Sequence, residues 1–171
     1  MSKRDLKKYL TTLKKEQLEE QILELYEKFN AVKVYYNFVF NPKEDRLFQE
    51  AKFKISNEYF PIKGNKPKLR RSIAQKIIKH FITLGVDSFI IADVMLYNIE
   101  TALSYTAEKY IKQELFYKSM LNSFDQSIQF MIGKSILNSF RNRVEVIANK
   151  TNEQNWSNKY DFNAIIEQIE D

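Results

Sequence analysis

Three glycines and three prolines are spread over 171 residues. A domain built of short strands needs a turn every few residues, and turns draw heavily on Gly and Pro. This chain has too few of either for a β-rich fold. Long helices joined by short links need little of both, so an all-α architecture is the expectation.

Hydrophobic spacing divides the chain into eight or nine helices. Ser2 caps a short first helix, and a second runs from about Lys15 to Phe29. Leu18, Ile22, Leu25 and Tyr26 form one face of the second, and Glu16, Glu20, Glu24 and Glu27 the other. A third covers Ala31 to Phe40. Asn41-Pro42-Lys43-Glu44 supplies an N-cap, a proline at the first helical position and an acid at the third. A fourth helix should therefore run to about Tyr59. "FPIKGNKP" (60–67) is read as an internal loop, because 60 residues on one side of it make a marginal domain. Further helices are expected at Pro67 to Leu84, from Asp87 to about Ala107, from Lys112 to Ile132, from Ser135 to Asn149 and from Asp161 to Glu170. The whole chain, 1–171, is read as one helical domain. Its C-terminal segment, 150–171, is a polar tail with a short helix packed on the body. An irregular bundle and a short HEAT-like α-solenoid both fit this pattern.

Absences narrow the chemistry. There is no cysteine, so disulfides, thiol nucleophiles and thiolate metal sites are excluded. A single histidine rules out repeated Glu-x-x-His metal pairs. No phosphate-cradling Gly-rich loop and no G-x-S-x-G nucleophile turn appears. No catalytic residue, metal or cofactor is expected. "MSKRDLKKYL" lacks the apolar core of a secretory signal. Phe89 to Leu103 is interrupted by Asp93, Asn98 and Glu100, so no membrane span is expected. A cytoplasmic setting follows as the default.

Net charge is +5, and between Tyr59 and Val86 there are seven bases and no acid: Lys63, Lys66, Lys68, Arg70, Arg71, Lys76 and Lys79. Such a run can meet phosphates, so nucleic-acid binding, aided by Arg141 and Arg143, is the runner-up reading. On a wheel, however, the helix from Pro67 has an apolar arc of roughly 220°. It reads as a buried helix with a lysine rim, and as a poor recognition helix. Arg70 and Arg71 stand in its first turn, against the helix dipole, which calls for an anionic partner. The five glutamates between Glu16 and Glu27 are one internal source.

Two other constellations stand out. Asp93, Tyr97, Glu100 and Ser104 form a polar stripe on an otherwise apolar helix. With His80 they are the candidate set for acid–base chemistry, the third reading. The bland alternative is a stripe facing water or a basic neighbour. Trp156, in "QNWSNKYDF", either anchors the tail or serves as a hot spot for a partner.

"KEQLEEQILELYEKF", "FNPKED", "AKFKISNEYFP", "RRSIAQKIIKHFITLGVD", "IADVMLYNIE" and "QNWSNKYDF" resemble a family of short uncharacterised bacterial proteins of the Bacteroidota type, a domain of unknown function. The resemblance covers nearly the whole chain. It implies one conserved unit in a bacterial cytoplasm and carries over no functional residues. The favoured function is a non-catalytic protein-interaction or scaffold domain with an unidentified protein partner.

Overall fold

A computed structural model describes residues 1–62 and 65–169. Among these residues there are nine α-helices and no strand. Contacts group the chain into two units, Met1–Pro42 and Lys43–Asp171.

The first unit holds α1 (Lys3–Leu10), α2 (Lys15–Lys28) and α3 (Asn30–Phe40). Ser2 and Asp5 close a reciprocal cap: Asp5 N–H donates to Ser2 Oγ at 3.2 Å, and Ser2 N–H to Asp5 Oδ2 at 2.9 Å. The Lys14 N–H is satisfied by Gln17 Oε1 at 2.9 Å. The helix α2 packs on α3. No residue of these three helices is buried.

The second unit holds α4 (Glu44–Tyr59), α5 (Arg71–Leu84), α6 (Ser88–Glu108), α7 (Glu114–Gly133), α8 (Leu137–Glu153) and α9 (Lys159–Glu167). The helix α6 is its centre, in contact with α4, α5, α7 and α8. Ala92, Val94, Leu96, Ile99 and Ala102 on α6 are fully buried. Each large aliphatic side chain so enclosed contributes roughly 1.5–3 kcal/mol. Well-packed helix pairs in this unit lie one or two places apart in the chain, as α4 with α6, α6 with α8 and α7 with α9.

Local chemistry sets the helix ends. Asp87 accepts the Phe89 N–H at 2.8 Å and so starts α6. Gly85 ends α5 at φ 75°, a left-handed position that favours glycine.

Several boundaries differ from the sequence reading, three of them with a visible cause. The helix α4 starts at Glu44 with no side-chain cap, because Asn41 and Pro42 lie outside it and the Glu44 carboxylate accepts from Asp87 N–H at 2.8 Å. The helix α5 starts at Arg71 rather than Pro67. The backbone N–H groups of Lys68 and Leu69 donate to the Glu58 carbonyl, at 3.0 and 3.1 Å. They hold the preceding segment as a strap, with Leu69 at φ 52°. The helix α8 runs to Glu153, so Asn149 to Glu153 are helical rather than a polar tail. Thr151 within them is fully buried, and its Oγ1 donates back to the Ala148 carbonyl at 2.7 Å.

Candidate functional site

Glu58 organises the approach to the basic helix. It stands in the last turn of α4 and is 6% exposed. Its carboxylate accepts from Arg70 three times: from N–H at 3.2 Å, Nε at 2.9 Å and an Nη at 2.7 Å. Those hydrogen bonds hold the Glu58 carboxyl below its ordinary range, against the opposing effect of burial. Arg71 is satisfied differently, donating from an Nη to the Leu115 carbonyl at 2.6 Å. Both arginines of the first-turn pair therefore have internal acceptors. Lys66, Lys68, Lys76 and Lys79 are exposed and make no ion pair among the described residues. Lys63 lies outside the described residues.

The polar stripe of α6 surrounds one arginine. Arg143, on α8, reaches Asp93 Oδ1 at 2.7 Å and Glu100 Oε2 at 2.7 Å, with its Nε also donating to Glu100. Glu100 first, then Asp93, raise the Arg143 guanidinium above its ordinary value. Lys52 on α4 lies 3.9 Å from Asp93 Oδ2 and over the rings of Phe48 and Tyr97. The Tyr97 and Ser56 hydroxyls are hydrogen-bonded to each other. His80 is exposed on α5 and is not among the groups around Arg143. The stripe and His80 thus do not form one constellation. A general acid or base needs a carboxyl free to exchange a proton with a substrate, and here both carboxylates face the same cation. Arg141 donates to the Ile169 carbonyl at 3.3 Å and ties α8 to the chain beyond α9.

Trp156 is 3% exposed, so the exposed position that a partner hot spot requires is not the one it occupies. Its ring meets Tyr117 at 5.3 Å, Phe162 at 5.8 Å and Phe116 at 6.0 Å, all edge-on. The indole N–H lies 3.2 Å from both Thr106 Oγ1 and Gln154 Oε1. The end of α8 brings it there: the Trp156 N–H donates to the Thr151 carbonyl at 3.0 Å. Phe162 of α9 packs against Phe124 in a tilted pair, with ring centroids 4.9 Å apart, and completes the cluster.

Each unit carries an open surface with exposed apolar side chains. In the first, Leu23, Phe29 and Phe40 are 63%, 54% and 82% exposed. A cleft between α1 and α2 is lined by Tyr9, Leu13 and Leu23 together with Glu16, Glu20 and Glu27. In the second, α5 and α7 meet where Arg71 grips Leu115 and leave a groove of about 480 Å³ farther along, floored by Met95 and Asn98 of α6. The expected burial of α5 is only partly realised: Ala74, Phe81 and Leu84 are buried, while Ile82 is 51% exposed at this groove.

Among the described residues no helix is long and apolar enough to cross a membrane. The arrangement is that of an all-α protein with its acidic stripe engaged in ion pairs and with apolar surface left open. Residues 1–170 match DUF6155, a family of unknown function, and the chain belongs to that family. No curated protein and no solved structure matches it.

Proposed function

We propose that the chain is a non-catalytic protein-interaction domain that receives its partner on the apolar faces of α1, α2 and α3. The observation that carries this reading is that Met1–Pro42 forms three helices without burying one residue. Apolar surface of this kind is costly to leave in water and marks contact sites. The glutamates of α2 border it, so the partner is an apolar surface rimmed with basic side chains. The family match over 1–170 supports treating both units as one functional domain. Helix pairs packed one and two places apart support a short HEAT-like stack for the second unit.

The test compares the full chain with Leu23→Glu plus Phe40→Glu as bait in a bacterial lysate, with far-ultraviolet circular dichroism to check folding. A protein recovered by the parent chain, released by salt and lost with the double variant is the expected result. Equal recovery by both baits overturns the docking surface.

A second reading keeps one observation in its favour. Lys66, Lys68, Lys76 and Lys79 are exposed and unpaired among the described residues, so they are free to meet phosphates. Retention on DNA at low salt that drops for Lys76→Glu plus Lys79→Glu is what nucleic-acid binding demands. No retention at low salt removes it.

A further inference from the structure

We propose that the groove between α5 and α7 binds an acidic peptide segment in extended conformation. This rests on the protein-interaction reading but uses a different surface, so the two can fail separately. The walls are Ala74, Ile78 and Ile82 of α5 and Phe130 of α7, over Met95 and Asn98 of α6. A mostly apolar floor of this sort accepts an apolar side chain. Asn98 selects among apolar occupants. It is 3% exposed, lines the groove, and its side chain makes no hydrogen bond among the described residues.

An asparagine amide sets a donor beside an acceptor. The matching pair is the C=O and N–H of one residue in an extended backbone. A helix has spent those groups on itself, and an alkyl chain has none, so either would bury Asn98 unpaired. Gln75 and Gln126 add two more amides at the groove edges. The hydroxyls of Thr83 and Ser123 are turned away to backbone carbonyls of Lys79 and Ser119.

Charge and length refine the ligand. Lys79 lines the groove, no carboxylate among the described residues does, and Lys76 is exposed one turn earlier on the same helix. The occupant therefore carries Asp or Glu. Ala74 to Thr83 covers about 14 Å of α5 at 1.5 Å per residue, the reach of about four extended residues at ~3.4 Å each. Side chains alternate along a strand, so the acid at the rim and the apolar anchor over Met95 are an odd number of positions apart.

A displayed random hexapeptide library is panned on the full chain and, in parallel, on Asn98→Leu. Enriched sequences are made as acetylated amides and titrated by fluorescence polarisation. We expect an acid and an apolar residue in each, at least tenfold weaker binding to Asn98→Leu, and a similar loss on N-methylation of one central peptide nitrogen. Lys79→Gln should weaken binding and reduce its salt dependence. Ile82→Glu, a change at an exposed position, serves as the blocking variant if Asn98→Leu fails to fold. Failure to enrich any sequence, equal affinity for the Asn98→Leu or Ile82→Glu chain, indifference to N-methylation, or displacement by dodecanoate overturns the proposal. Survival of this binding in Leu23→Glu plus Phe40→Glu separates it from the α1–α3 surface.

Discussion

Glu58→Gln tests the contact that positions α5. Glutamine keeps the shape of the side chain and one acceptor oxygen, but it turns an N–H₂ toward the Arg70 guanidinium. Hydrogen bonds to charged groups are worth about 1.5–3 kcal/mol each. Two side-chain bonds from Arg70 converge on the carboxylate, and at least one is lost. The Arg70 side chain is 52% exposed, which places the value toward the low end through solvent screening. The expected loss is about 2 kcal/mol, or about 4–8 °C in Tm for a chain of this size. The pH dependence fixes the cause. The Glu58 carboxyl is held below its ordinary value, so its contribution is complete above the unfolded glutamate pKa of about 4.3 and is lost as pH falls through the folded value. Thermal melts followed at 222 nm should show a constant gap between parent and variant from pH 6 to 8. The gap should narrow as pH falls below about 4. An unchanged Tm at pH 7, or a gap that widens as pH falls below about 4, refutes the account.

Arg143→Met removes the cation shared by Asp93 and Glu100 and leaves both carboxylates without it. Both are roughly 30% exposed, so water limits the damage to about 2 kcal/mol, read as a fall in urea midpoint at unchanged slope. Tyr59→Phe should stabilise by about 1 kcal/mol, because the Tyr59 hydroxyl is buried with no protein partner among the described residues, and a drop in Tm would contradict this. Gly85→Ala should cost about 1 kcal/mol, since an added Cβ meets nothing within 4 Å and the penalty is confined to the backbone at φ 75°. A neutral result by chemical denaturation would show that α5 ends equally well in another conformation.

What the sequence reveals and what it conceals divide along one physical line. Periodicity shows which side chains can be buried on a helix, and α6 is legible because almost every position of it is used that way. It does not show whether a neighbour arrives. On α5 the wide apolar arc is real, yet Ile82 is half exposed on the groove it lines with residues of α6 and α7. Charge is harder still, since pairing depends on residues distant in the chain. Arg70 finds Glu58 twelve positions back, and Glu100 finds Arg143 forty-three positions on. One signal for Glu58 was present. It sits beside Ile55 and Tyr59 on the apolar face of α4, and at a helix C-terminus, where the dipole disfavours an acid. An acid doubly out of place, just before a run of bases, points to an internal partner. The same reasoning assigns Asn98, a polar residue in the buried register of α6, to a partner the chain itself does not supply. Misplaced polarity is informative in both cases. Only the packed structure separates the group answered from within, at Glu58, from the group with no side-chain hydrogen bond among the described residues, at Asn98.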